Sequence, residues 1–261
     1  TVHDVSSFSN SSSSSIIRNL IYRLTDIILT HNEFSRSEII NVNANLSSCI
    51  SIVLHGNYTP FVNIQYDKEK SKEQLAIPNN RRILLFFGMI KEVKGLDILL
   101  SALKGVIKCN PDVLLVIAGK PQKNNFSDYQ KIIDENNLSK YILLHTKFIP
   151  QKDVEHYYCA SDLVVLPYKK IYQSGVLMMT LSYERPALVS DLPPLKEIIS
   201  DNENGFLFKT ENVSDLTTKL NSILSNEGLM EQVRTKGTEL INTKYDWGEI
   251  GRQTKHAYQS L

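Results

Sequence analysis

The sequence predicts an α/β protein built on a parallel sheet, and three observations carry that prediction. Short, largely apolar runs recur at 82–87, 113–118, 142–144, 163–166, 187–189 and 205–208. Helix-patterned segments at 96–108, 127–136, 153–160, 175–183 and 195–200 separate them. The chain has 261 residues, 42% of them apolar and 22% charged, enough to bury a full core. Strands apolar on both sides need cover on both faces, which alternating helices supply through right-handed crossovers.

Ahead of that alternation, 26–30 reads as a buried strand ending at His31, 35–43 as a helix, and 50–54 as a second buried strand. Residues 16–24 space Ile17, Leu20, Ile21 and Leu24 as on a helix. Residues 59–80 contain two prolines, charged stretches and little periodicity, which is a linker pattern. The tail from 212 is helical, and its last amphipathic helix opens at Trp247. The expected organisation is an N-terminal unit at 1–58, a linker at 59–80, a main domain at 81–245 and a closing helix at 246–261.

Composition excludes several functions. The 29 Lys and Arg against 28 Asp and Glu leave a formal net charge of +1, without the basic surplus of a duplex nucleic-acid binder. The three cysteines, Cys49, Cys109 and Cys159, lack metal-ligand or disulfide spacing, so a reduced, cytoplasmic setting is expected. The stretch 16–29 is too short and too charged, with Arg18, Arg23 and Asp26, to span a bilayer, which leaves room only for peripheral membrane association. The serine-rich tract at 6–15 has little to bury and reads as a mobile loop. A start at Thr1, with no initiator Met or signal pattern, reads as a fragment or a trimmed chain.

Ligands in parallel sheets bind at the carboxyl ends of the strands, and three polar clusters fall there. After 82–87 come Gly88, Lys91 and Lys94, where cations and the start of a helix near Gly95 could hold an anionic phosphate. Read alone, this turn fits a solvated loop better, because surface lysines flanking a glycine are common. After 163–166 comes Gln173-Ser174-Gly175-Val176-Leu177, in which glycine admits a ligand to the backbone and Ser174 serves as helix cap or phosphate donor. After 187–189 come Asp191 and Glu197, which also suit a cap and an exposed helix position.

The order of Gly88, Lys94-Gly95-Leu96-Asp97, Ala118-Gly119, Ala160-Ser161-Asp162, Leu166-Pro167-Tyr168, Gln173-Ser174-Gly175-Val176-Leu177, Ser190-Asp191 and Glu197 resembles the glycosyltransferase 4 family over about 80–245. Val2-His3-Asp4, Thr30-His31-Asn32 and Val53-Leu54-His55-Gly56 resemble the end of that family's acceptor-side domain. The entry at Tyr245-Asp246-Trp247 resembles its returning helix. The resemblance implies a GT-B fold, with one complete Rossmann-like domain and an N-terminal Rossmann-like domain missing roughly its first half. It also implies a retaining hexosyltransferase that uses a nucleotide diphosphate sugar and a glycan or lipid-linked acceptor, without a metal or further cofactor. A place at the inner face of the membrane fits such an acceptor.

The resemblance further implies that Lys94 and Lys91 meet the donor diphosphate beside Gly88. Ser174, Gly175 and Val176 would receive phosphate or sugar oxygens, Glu197 would lie beside the donor, and His3 would face the reaction centre as the catalytic residue. His31 and His55 are expected to hold strand ends together. The serine tract would admit or cover the acceptor. In one respect the chain departs from the pattern, because two glutamates common in the family are replaced by Ile171 and Met179. That departure keeps a catalytically silent nucleotide-sugar-binding module in view, with a nucleotide-sugar epimerase as a third reading.

Overall fold

The computed structural model describes residues 1–2, 5, 20–22, 24–63, 67–122 and 125–259; His3, Asp4 and the serine tract lie outside them. A small unit comes first, formed by β1 (Ile28–Thr30), α1 (Glu33–Val42) and β2 (Ile50–Ile52), with the two strands parallel and Ile28 opposite Ile50. After α2 (Lys68–Gln74) the chain alternates through β3 (Arg82–Phe87), α3 (Leu96–Cys109), β4 (Val113–Ala118), α4 (Ser127–Glu135), β5 (Ile142–His145) and α5 (Gln151–Ala160). It continues through β6 (Leu163–Leu166), α6 (Gly175–Ser182), β7 (Ala187–Ser190), α7 (Pro193–Lys196) and β8 (Phe206–Phe208). Three helices follow, α8 (Val213–Leu224), α9 (Glu227–Thr243) and α10 (Trp247–Gln259). Strands β3 to β8 form one parallel sheet of six, ordered β5-β4-β3-β6-β7-β8.

Side-chain alternation explains why these strands read as apolar throughout. On β3, Ile83 and Leu85 enter a core shared with Tyr158, Leu177 and Leu181 of α5 and α6, while Leu84 and Phe86 enter another shared with Leu99, Leu103 and Leu216 of α3 and α8. Each strand face therefore has its own helical layer, as a parallel sheet requires. In the first core the rings of Tyr158 and Tyr183 stack 4.7 Å apart at 6°, and burial pushes both hydroxyl pKa values up. Among the described residues no helix is long and apolar enough to cross a membrane.

Two expectations need correction. The featureless linker expected at 59–80 contains α2, capped by the Asp67 side chain accepting from Glu69 N at 3.0 Å and packed against α5. Its inward positions are Ser71 and Lys72, so no apolar stripe betrays it, and the following Leu75 and Ile77 enter the main core. Helix α7 starts at Pro193 and ends at Lys196, short of the 195–200 predicted, with proline in its first turn where the lost N–H costs nothing.

Backbone contacts at the carboxyl ends of β3, β4 and β6 leave no space for side chains. Gly119, at φ +149°, lies so close to β3 that a Cβ would stand 1.9 Å from the Gly88 carbonyl oxygen. Gly95, at φ +66°, begins α3 against the turn after β6, and a Cβ there would stand 1.8 Å from the Pro167 carbonyl oxygen. Only glycine combines the left-handed backbone with that approach.

The small unit is tied to the large one along two seams. In the first, Asn57 donates from N to Tyr245 O at 2.8 Å and from Nδ2 to Ile241 O at 3.0 Å, while Trp247 Nε1 donates to Asn57 O at 2.9 Å. The Trp247 ring covers Gly56, where a Cβ would fall 2.6 Å from the indole, and α10 packs Ile250 and Ala257 on Leu29 and Val53. In the second, the Glu197 carboxylate accepts from the Glu33 and Phe34 amides at 2.9 and 2.8 Å, supplying acceptors to the exposed first turn of α1. Asn32, the α1 cap, donates from Nδ2 to Tyr172 O at 2.6 Å, and the Phe34 and Tyr172 rings lie 5.9 Å apart.

Two substitutions test these contacts. Gly95→Ala combines left-handed strain with a main-chain clash and is expected to cost about 2–4 kcal/mol; an unchanged urea midpoint would contradict the contact. Glu197→Ala removes both acceptors from α1 and should cost about 1 kcal/mol. Amide exchange at Glu33 and Phe34 should rise while exchange in β3 stays unchanged.

Candidate functional site

Strand order reverses between β3 and β6, because β4 and β5 extend to one side and β7 and β8 to the other. In a sheet of this type, the crevice outside the carboxyl ends at that point is where ligands bind. Two helices begin there with donors unused. The amides of Leu96 and Asp97 in α3, and of Gly175 and Val176 in α6, meet no acceptor among the described residues. Each pair presents the positive end of a helix.

Several predicted residues meet at this crevice. A Cβ on Gly88, at φ +104°, would lie 3.4 Å from the Val176 side chain, and one on Gly175 would lie 3.2 Å from the Tyr58 hydroxyl. Lys94 Nζ stands 3.7 Å from the centre of the Tyr168 ring, whose buried hydroxyl has no partner among the described residues. A cation on an aromatic face keeps its remaining donors for a ligand. Neither Tyr58 nor Tyr168 was singled out by sequence. Tyr168 belongs to the Leu166-Pro167-Tyr168 motif at the end of β6 and so carries a local signal, whereas Tyr58 arrives from the small unit with none.

Other predicted residues have different surroundings. Lys91 lines an open cleft of about 630 Å³ with Glu92, Asp97, Gln122 and Lys169, on which Lys94 does not border. Lys169 pairs with Asp97 at 2.8 Å. Ser174 acts as a helix cap, its hydroxyl accepting from Leu177 N at 3.1 Å, and it is buried. Glu197 differs from the expectation of a carboxylate beside the donor, since both of its oxygens accept from α1. His3 lies outside the described residues. Ile171 is buried in the main core and Met179 packs against it, so the two positions expected to carry glutamate hold apolar contacts instead.

Between the seams lies a cavity of about 50 Å³ lined in part by His31, His55, Ser174, Glu197 and Tyr245. The two imidazoles stand edge to face at 5.7 Å, and each donates its Nδ1 proton to a carbonyl, His31 to Val53 O at 2.8 Å and His55 to Gly56 O at 2.7 Å. These bonds fix the ring orientations at the ends of β1 and β2. Burial, with a smaller contribution from the Glu197 charge, pushes the Tyr245 phenol pKa up to about 12. On the far side of the crevice, His145 ends β5 with Nδ1 2.7 Å from the Tyr157 hydroxyl, and burial and then Lys147 lower its pKa. Just beyond it, Phe148 projects into solvent at 74% exposure.

Known proteins share this architecture. The chain is 26% identical over 204 residues to a phosphatidyl-myo-inositol mannosyltransferase of Mycobacterium leprae, covering 76% of this chain and 52% of that one. It is 26% identical over 208 residues to a GDP-mannose:glycolipid 4-beta-D-mannosyltransferase of Xanthomonas campestris pv. campestris, covering 79% and 54%. The chain thus spans about half the length of the curated relatives it matches. A crystal structure of Anabaena HepE in complex with UDP and glucose superposes with a TM-score of 0.87 at 18% identity, covering 100% of this chain and 70% of that one. At that identity the likeness establishes the fold, which is of the GT-B type. The Glycosyl transferases group 1 family matches residues 67–240, from α2 to the last turns of α9. With most of its length matched, including every strand of the six-stranded sheet, the chain belongs to the glycosyl transferases group 1 family.

Proposed function

We infer that the chain is the donor-handling part of a retaining hexosyltransferase, which moves a hexose from a nucleotide diphosphate sugar to a glycan or lipid-linked glycan. The observation that carries this reading is the convergence of Lys94 with the unused amides of α3 and α6 at the switch point. Two phosphate groups need charge and directed donors, and this edge of the sheet offers both. As the bond to the sugar breaks, negative charge grows on the leaving diphosphate, and donors already held in place stabilise it without reorganisation. Gly175, Val176 and Gly88 border the same space. Lys91 is assigned to the outer flank of the diphosphate, Ser174 to holding the α6 start, and Glu197 to holding the small unit. One relative is a GDP-mannose:glycolipid mannosyltransferase and a structural neighbour was solved with UDP, so both bases stay in the reading. No cofactor beyond the donor is invoked, and the assigned setting is the cytoplasm, at the inner face of a membrane for a lipid-linked acceptor.

The apolar surroundings of Ile171 and Met179 favour a second reading, a module that binds nucleotide sugar without transferring it. Incubating the natural full-length protein with a panel of nucleotide sugars and acceptors, followed by mass spectrometry, separates the two. Transfer supports the first, binding without turnover the second, and an epimerised donor would overturn both.

Lys94→Ala should lower donor affinity and turnover together by about 1.5–3 kcal/mol, roughly ten- to hundred-and-fifty-fold, with the fold retained. Lys169→Ala, which breaks only the pair with Asp97, should have a smaller effect. Parent-like binding and turnover by Lys94→Ala would remove the diphosphate assignment.

A further inference from the structure

The opposite edge of the six-stranded sheet carries a charge imbalance that donor handling does not use. At the amino-terminal ends of the strands, an open cleft of about 630 Å³ is lined by Lys68, Lys72, Arg81, Arg82, Arg185 and Arg234, against three carboxylates. Half of these cations are neutralised in place. Lys68 pairs with Asp162, Arg82 with Asp112 at 2.6 Å, and Arg234 with Glu231 at 2.6 Å and Glu184 at 3.2 Å.

The other three hold no carboxylate among the described residues. Lys72, 5% exposed, donates to the carbonyls of Asn79 at 2.9 Å and Arg81 at 2.7 Å. Arg81 lies over the Tyr141 ring and donates from a terminal nitrogen to Val113 O at 2.7 Å, while its buried Nε–H meets no acceptor among the described residues. Arg185 donates only from Nε, to Tyr183 O at 3.1 Å, and its two terminal nitrogens meet no acceptor among the described residues. Burial disfavours the charged forms of Lys72 and Arg185, and a neighbouring cation adds to it in each case, Lys68 for the first and Arg234 for the second. Partly buried cations that crowd other cations and form no ion pair of their own are costly unless an anion joins them, because Asp162, which reaches both at longer range, and Glu184, which reaches Arg185, are already paired with Lys68 and Arg234.

We propose that this cleft binds a phosphate-type oxyanion, with the terminal nitrogens of Arg185 as the principal donors and Lys72 and Arg81 supplying the surrounding charge. A guanidinium offers two parallel N–H groups to two oxygens of one phosphate, a match that lysine cannot reproduce. Glu227 and Glu231, on the first turns of α9, also line the cleft, and Glu231 is engaged by Arg234. The cleft and the donor crevice sit at opposite ends of the strands, about 20 Å apart for a six-residue strand, so the site stands whether or not the donor assignment holds.

The test is titration calorimetry with inorganic phosphate on the Lys94→Ala protein, which removes the cation at the donor edge. Saturable binding that falls at high salt is expected, and adding Arg185→Gln should weaken it about tenfold or more. Flotation with phosphatidylglycerol vesicles, against phosphatidylcholine vesicles, names the source. Capture that depends on Arg185 means a lipid headgroup, and phosphate binding without capture means a soluble phosphate. Absence of saturable phosphate binding, or binding indifferent to Arg185→Gln, overturns the site. If Arg185→Gln does not fold, the Arg185 guanidinium resonance in the parent protein decides: a shift on phosphate addition supports the site, and a signal unmoved by phosphate overturns it.

Discussion

Two main-chain approaches, Gly119 onto the Gly88 carbonyl and Gly95 onto the Pro167 carbonyl, hold the carboxyl edge of the sheet in its working shape. They draw the ends of β3, β4 and β6 together where strand order reverses, and they set the first turn of α3 beside the turn that leads into α6. Everything assigned to the donor crevice hangs on this. A Cβ at Gly95 would separate α3 from the β6 turn, and with it Lys94 from Tyr168, while a Cβ at Gly119 would part the ends of β3 and β4. The hydrogen bond from Lys169 N to Val93 O at 2.9 Å closes the same junction from the other side.

The electrostatics of the molecule follow from the polarity of a parallel sheet. Helices that return antiparallel to the strands point their amino ends at the carboxyl edge, so main-chain donors accumulate there and few cationic side chains are needed. At the opposite edge, where helices end and strands begin, positive charge is carried by side chains, and it exceeds the carboxylates available. A near-neutral chain thus has two anion-attracting ends of different origin, one made by backbone and one by arginine and lysine.

Legibility in the sequence tracked how local each cause was. The strand at 163–166 and the helix opening at Gly175 were visible because an apolar run and a Ser-Gly cap are decided by a few neighbouring residues. Helix α2 was not, because its inward face is Lys72, held by hydrogen bonds and its alkyl stem, beside the small Ser71, rather than an apolar stripe. The roles of Glu197 and Tyr58 were hidden for another reason. Glu197 meets amides 164 and 163 positions earlier in the chain, and Tyr58 reaches Gly175 from the segment that follows β2, so no window of sequence contains either contact. Ile171 was legible as a missing glutamate, yet its burial in the core follows only from three-dimensional packing.

Asn57 gives the two-unit arrangement a mechanical character. The chain passes between the units on the way out near residue 57 and on the way back near 245, and Asn57 laces these strands of chain together with its N–H, its side-chain amide and its carbonyl. Two crossings bound side by side fasten the small unit along one line, through hydrogen bonds that all meet at a single residue. A second fastening is made by two hydrogen bonds from main-chain amides to Glu197 and one from the Asn32 side chain to Tyr172 O. His31, His55 and Ser174 line the small cavity enclosed between these two sets of bonds.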